Sequence, residues 1–424
     1  MALSTDSTGA LALSPATQAF LDASRQRVQG QHASPRGTHW RRAFHELYAS
    51  EPLHRRQALS FAYSLEHEPV ILLPGACLVG HLHQAVPGAD APDFGGWGGL
   101  AEEFDAAREI AARVEAEIPH LSRYHTSGAS WVCHTGCAPG HIGWHWEWIL
   151  RDGIDGLLKR LENARATADD TGLNTLEAME ICLRAVLAWN ARHQAAVLAA
   201  YDDEDDPQRR QEFAQQASLV ARVPRTGART FREAVQAFHF SYLATIFENP
   251  HGGNGPGRLD YWLWPYLRHD LEEGLETEES ARDLIDELFI RFHERLLHGA
   301  DGWVETIVVG GTHPDGRCAF NPLSRIMIDS ISALGISHPA VYIRLPDDPS
   351  DEVMAVASRD VAYGGNRAQI VSDAAIVAAM TRRGRITEAD ARMYMCGGCM
   401  EISPQGKNGD LLFSGFVNTA KILE

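Results

Sequence analysis

Glu305-Thr-Ile-Val-Val309 is followed by Pro322 to Leu334, Ala340-Val-Tyr-Ile-Arg-Leu345, Ser350 to Ala362 and Gln369-Ile-Val371, and this alternation decides the fold. The three short apolar runs predict strands, and the two longer stretches between them carry apolar residues at helical spacing. Strands joined by crossover helices pair in parallel, which implies an α/β architecture.

Working outward, Arg229 to Phe247 predicts a long helix opened by Thr230, with Glu233 three residues on in a capping-box pattern. Further helical patterns cover Trp40 to Glu66, Gly98 to Glu117, Trp144 to Asn163 and Leu173 to Tyr201, whereas Glu68 to Gly80 reads as strand and turn. The acidic run Tyr201 to Pro207 is a solvated loop or a helix start. Residues 1–37, rich in small and polar side chains, are expected to form a loose leader with one short helix near Gln18 to Arg27; residues 38–424 are expected to form one domain. No internal repeat is present.

With 45% hydrophobic and 22% charged residues, the chain has ample material for a core. A formal charge of −18 argues against nucleic acid or an anionic membrane surface as the main partner. No apolar run approaches the length that crosses a bilayer, and Met1 to Pro15 lacks the pattern of a secretory signal. Seven cysteines, an odd number, favour reduced thiols and a cytoplasmic location.

Two segments carry candidate chemistry. In Cys396-Gly-Gly-Cys399-Met-Glu401 the glycines permit a tight excursion that projects Cys399 into a cavity, with Glu401 near enough to serve as acid or base. The same residues also read as buried small apolar groups beside a surface charge, or as a redox or metal-binding pair. Cys133, Cys137, His141 and His145 are ligand types that zinc accepts, but their spacing matches no common zinc pattern. The neighbouring Trp144, Trp146 and Trp148 favour a pocket wall or a structural role there. The glycine-rich stretch from His251 to Gly257 follows a helix and lacks the Gly-Lys-Ser/Thr ending of a phosphate loop, so it reads as a turn feeding Arg258 and Asp260. A Gly-x-Ser-x-Gly elbow is absent.

Five stretches, taken in order, carry a family likeness: Val223 to Gln236; Pro256-Gly-Arg-Leu-Asp260 with the aromatic-proline run to Tyr266; Val309-Gly-Gly-Thr-His-Pro-Asp-Gly-Arg-Cys-Ala-Phe-Asn321; His338 to Arg344; and Glu388-Ala-Asp-Ala-Arg392 followed by Gly398-Cys-Met-Glu401. Together with Pro139-Gly-His-Ile-Gly143 they resemble the glycyl radical enzymes, the superfamily of pyruvate formate-lyase and the radical dehydratases and decarboxylases. The resemblance implies the first part of an α/β barrel, a parallel half-barrel surrounded by helices, behind a largely helical N-terminal region. It makes Cys399 the thiyl-radical site and Glu401 the general acid/base. Gly398 stands where pyruvate formate-lyase has a second cysteine, which implies an eliminase or decarboxylase. It offers His141, His251 and Asp373 as substrate contacts, with Arg258 and Asp260 paired structurally. It also implies no metal and no directly bound cofactor, but a glycyl radical installed by an S-adenosylmethionine/iron-sulfur activating enzyme, and a homodimer acting on a small molecule.

The family's Arg-Val-x-Gly-Tyr type glycine loop does not occur in this sequence, and Phe416 to Glu424 reads as the opening of a further helix. The expectation is therefore a fragment, or one half of a split enzyme completed by another chain, inactive alone. A non-catalytic assembly subunit derived from such an enzyme and a zinc protein stand as the other readings.

Overall fold

The computed structural model describes residues 12–29, 36–82, 112–113, 116–117, 133–134, 142–248, 255–294, 305–362, 369–397, 401–407 and 416–417. Its strands are β1 (Cys133–His134), β2 (Thr306–Gly310), β3 (Ala340–Leu345), β4 (Gln369–Ser372), β5 (Tyr394–Gly397), β6 (Glu401–Pro404) and β7 (Phe416–Val417). The expected βαβαβ unit is present: β2, β3 and β4 form a parallel sheet in that order, with Val308 opposite Tyr342 and Ile343 opposite Ile370. Every residue of β2 is buried, as in parallel strands covered on both faces. The outer strand β4 alternates, and its Ile370 is exposed.

The helices in chain order are α1 (Pro15–Gln29), α2 (Arg36–Arg42), α3 (Leu53–His67), α4 (Trp146–Arg165), α5 (Asp170–Asp203), α6 (Pro207–Arg222), α7 (Phe231–Glu248), α8 (Leu259–Glu272), α9 (Glu278–Glu294), α10 (Pro322–Leu334), α11 (Asp351–Ala362), α12 (Asp373–Thr381) and α13 (Glu388–Arg392). Local signals set several of their ends. Asn321 caps α10 in a reciprocal box with Ser324, Pro322 fits the first turn, and Gly335 closes the helix at φ 59°. Asp206 accepts from the N–H groups of Gln208 and Arg209, so the acidic run ends as a helix start. At α7, Thr230 accepts from Glu233 N–H, but the Glu233 carboxylate reaches back to Arg229 N–H, one residue earlier than the box pattern predicts.

α7 is apolar nearly all round and therefore central: Phe238, Phe240 and Tyr242 are buried within it, with Trp146 edge-on to Phe238 at 4.8 Å between ring centres. α1 docks on this layer through Phe20 and Leu21; Thr17 donates to Asp283 at 3.0 Å and Arg27 pairs with Glu294 on α9. Trp40 to Glu66 divides into α2, a π-helical segment at Ala43–Leu47 and α3, because Pro52 immediately precedes the last of these.

Glu68 to Gly80 corrects the sequence reading. Its turn falls at Gly75 with φ 73°, but the stretch joins no sheet. Side chains satisfy its backbone instead: Glu287 accepts from Cys77 and Leu78 N–H, and Gln236 both accepts from Val79 N–H and donates to Val79 C=O. The pattern Gly98 to Glu117 lies almost wholly outside the described residues. Among the described residues no helix is long and apolar enough to cross a membrane.

Candidate active site

β5 and β6 form an antiparallel hairpin in which Gly397 faces Glu401 and Cys396 faces Ile402. Gly398, Cys399 and Met400, the connection between that first pair, lie outside the described residues. Cys396 is fully buried among Val308, Ala340, Tyr342, Met395 and Ile402. Burial pushes its thiol up to about 12, the Glu401 carboxylate adds to the rise, and Arg344 opposes it. A sulfur in such surroundings keeps its hydrogen at neutral pH. Glu401 itself is half-buried.

A buried ionic network lies behind the hairpin. Asp373, at the start of α12, accepts from Arg344 Nε and Nη2, each at 2.8 Å, and both side chains are wholly buried. Tyr394 O–H donates to the same carboxylate at 2.9 Å, and so does the Thr312 hydroxyl. Burial pushes the Asp373 carboxyl up, but the Arg344 fork, then Tyr394 and Thr312, outweigh it and hold it below the usual carboxylate range. Arg344 also donates to the carbonyls of Tyr394 and Arg392, at 3.1 and 2.9 Å. Arg258 donates to Arg392, Thr312 and Gly310 carbonyls. Asp260 accepts from Gly310 N–H at 2.7 Å and from Ser324 at 2.6 Å. Arg258 and Asp260 are thus both structural, each spent on the turn after β2.

Glycines let the backbones meet here. A Cβ on Gly255 would lie 2.7 Å from Cys396 C=O, and one on Gly143 would lie 2.7 Å from the Met395 methyl. Gly311, at φ 72°, passes so near Arg344 that a Cβ would stand 2.4 Å from its Nε. The segment after His251, read as a plain turn, instead bridges Gly143 to Gly255 and Gly257 to Ile307, carrying chain alongside β2. Gln405 staples it, accepting from Arg258 N–H and donating to the carbonyls of Trp144 and Pro256.

Residues 21–424 match the family model described as pyruvate formate lyase-like. The chain belongs to the pyruvate formate-lyase-like family. It is 30% identical over 267 residues to an isethionate sulfite-lyase of Nitratidesulfovibrio vulgaris, covering 59% of this chain and 31% of that protein. It is 25% identical over 332 residues to a (2S)-3-sulfopropanediol dehydratase of Klebsiella oxytoca, covering 74% and 38% respectively. The fold superposes with TM-score 0.80 and 22% identity on a Roseburia inulinivorans structure concerned with 1,2-propanediol dehydration, covering 97% of this chain and 57% of that one. A glycyl radical enzyme of Archaeoglobus fulgidus gives TM-score 0.77 at 22% identity, over 96% of this chain and 58% of the other. The chain therefore spans well under two thirds of the length of these relatives.

Within this pyruvate formate-lyase-like chain, His141 and His251 lie outside the described residues, as does Cys137. Cys133 is in β1, opposite Val417 of β7, and His145 stacks on Trp148 at 4.2 Å between ring centres. Among the described residues no three His, Cys, Asp or Glu side chains gather into a metal site. Trp146 is core, its indole N–H donating to Pro256 C=O at 2.8 Å. The aromatic run from Tyr261 lines a separate groove of about 600 Å³ with Glu147, His313 and Phe320, which includes no residue of the hairpin. Sequence reading missed Arg344, Tyr394 and Gln405 as site-forming residues. An arginine ending a buried strand was the one available signal.

Proposed function

We propose that this chain supplies the catalytic sulfur of a glycyl radical lyase. Cys399 takes a hydrogen atom from a small substrate, and Glu401 moves the protons of a C–X elimination, dehydration in the simplest case, or of a decarboxylation. The pairing of Gly397 with Glu401 carries this reading: it brings both ends of the Gly-Cys-Met connection to one cross-strand pair, about 5 Å apart, and Cys399 is the middle residue of that three-residue connection in sequence.

The surroundings fit one-electron sulfur chemistry, because the apolar wall around Cys396 favours neutral thiols, and a neutral thiol has a hydrogen atom to give. A glycyl radical, installed by an activating enzyme, would take the hydrogen atom of the Cys399 thiol and leave the unpaired electron on its sulfur. As the substrate C–H bond breaks homolytically, Cys399 forms an S–H bond and carbon keeps one electron. The hydroxyl on that carbon becomes more acidic and gives its proton to Glu401. Glu401 passes the proton to the group departing from the adjacent carbon. Cys399 then returns its hydrogen atom to that carbon, so no net oxidation occurs. Positioning within a water-excluding cavity supplies much of the rate.

The named relatives include a sulfite-lyase and dehydratases, among them a trans-4-hydroxy-L-proline dehydratase of Clostridioides difficile. The sulfite-lyase and the sulfopropanediol dehydratase support a small hydroxylated substrate with a leaving group on the neighbouring carbon. The same reading makes the working enzyme a cytoplasmic homodimer that depends on a radical-generating activating enzyme. The test is anaerobic turnover of the completed, activated enzyme. Cys399→Ala is expected to remove activity by at least about 10⁴-fold and Glu401→Gln by about 10² to 10⁴-fold. Substantial turnover in Cys399→Ala would refute the assignment.

A further inference from the structure

We propose that Arg344, Asp373 and Tyr394 are positioning residues that set the Cys399 hairpin in place, and that Asp373 is not a substrate contact; this rests on the function proposed above. The Asp373 carboxylate already accepts four hydrogen bonds, two from Arg344, one from Tyr394 and one from Thr312. A carboxylate offers about four acceptor sites, so none remains for a ligand.

The geometry shows what these bonds hold. Among the described residues the hairpin shares no backbone ladder with the parallel sheet, since β5–β6 and β2–β3–β4 are separate sheets. A sheet strand takes its depth and register from its neighbour's N–H and C=O groups. β5 ladders with β6 alone, and toward the parallel sheet it is held by side chains instead. Arg344, on the last turn of β3, reaches the carbonyls of Arg392 and Tyr394, and its guanidinium lies 3.8 Å over the Tyr394 ring. Arg258 shares the Arg392 carbonyl. Thr312, in the turn after β2, closes the circuit by donating to Asp373 and accepting from Arg392 Nη1. Four parts of the chain thus meet on one carboxylate: the β2 turn, the end of β3, the start of α12 and the entry to β5.

A buried ion pair is weak evidence for stability, because apolar residues of similar volume are often as good. Apolar contacts carry no direction, however, and cannot fix the rotation of a strand about its own axis. The forked, planar guanidinium does so by aiming at two carbonyls upstream of Gly397.

The experiment uses the full chain, with mass-mapped iodoacetamide alkylation of Cys396, Cys399 and Cys182 across pH, alongside thermal unfolding. In the double variant Arg344→Met with Asp373→Leu, the expected midpoint stays within a few degrees of the parent, as for other buried pairs made apolar. Cys396 and Cys399 alkylation is expected to change by at least about tenfold with an altered pH profile. Cys182, half-buried on α5 far along the chain, reports general loosening and is expected to react as in the parent. Arg344→Lys as a single variant is also expected to depart from the parental profile, because an ammonium lacks the fork. Parental rates and pH profile at Cys396 and Cys399 in the folded double variant would overturn the proposal. Should that variant not fold, Tyr394→Phe removes one bond and is expected to shift Cys396 labelling by about two- to fivefold; unchanged labelling there would overturn it equally. Neither readout needs turnover, so an active Cys399→Ala enzyme would sink the catalytic assignment while leaving the labelling result to be judged by itself.

Discussion

The parallel strands β2 to β4 and the hairpin β5–β6 lie against each other, yet different forces locate them. In the sheet, backbone ladders run from Thr306–Ala340 through Leu345–Ser372, and continuous apolar burial covers the faces of β2. The hairpin is located by Arg344, Arg258 and Gln405, whose side chains bond to backbone groups far away in sequence. The scaffold is thus tolerant of side-chain detail, whereas the hairpin, on the function proposed above, depends on a few directed bonds. A catalytic element needs to be placed within a fraction of an ångström, and packing alone does not do that.

The sharpest way to break this comparison is to leave one guanidinium uncompensated. Asp373→Asn keeps the shape but removes the charge facing Arg344, with an expected loss of about 3–5 kcal/mol in urea unfolding. A loss under about 1 kcal/mol would show that the hairpin is held elsewhere. Gly311→Ala comes next: a positive φ and a Cβ that meets Arg344 Nε predict a loss of about 2–3 kcal/mol together with faster Cys396 alkylation.

Acid separates the regions by where they fail. His193, buried beside Trp189 and Phe240 in the helical layer, has its pKa lowered to about 4 by burial. Because the unfolded chain binds this proton first, the stability from neutral His193 is full above about pH 6.5 and is lost as pH falls toward 4. The loss is expected to reach roughly 2–3 kcal/mol and to be absent in His193→Gln. Asp373 has the opposite charge but the same direction: its depressed pKa gives stability that is full above the unfolded carboxyl value of about 3.9 and lost only below it. Hydrogen-exchange protection of the β5 and β6 amides should therefore persist across the interval in which His193 titrates. The smallest effect belongs to the sheet. Ile343→Val in β3 is expected to cost about 0.5–1.5 kcal/mol and to leave Cys396 and Cys399 labelling unchanged.

The same contrast explains what the sequence reveals. Pro322 to Leu334 and Ala340 to Leu345 are read to the residue, because strand burial and helix caps are written in neighbouring positions. Asn321, Pro322 and Gly335 are local signals. Glu68 to Gly80 misleads because an apolar run says nothing about whether its N–H groups meet another strand or, as here, Glu287 and Gln236. In the site, the glycines before Cys399 are legible as a tight excursion, but the antiparallel ladder of β5 and β6 on either side of it is not. Arg344 and Asp373 stand 29 positions apart, and Arg258 and Gln405 stand 147 apart. Such pairings leave no periodicity in sequence. Asp373 was legible as a polar residue beside the site, but its partners, and so its role, were not.

The most direct measurement follows hydrogen. The completed, activated enzyme, offered isethionate or 1,2-propanediol with deuterium on the hydroxyl-bearing carbon next to the one that loses the leaving group, should move that label in whichever compound it turns over. If Cys399 carries the atom inside a sheltered cavity, deuterium appears on the neighbouring carbon of the product, and Cys399→Ala yields no product. Product bearing only solvent hydrogen at that carbon, formed equally well by Cys399→Ala, would contradict the account.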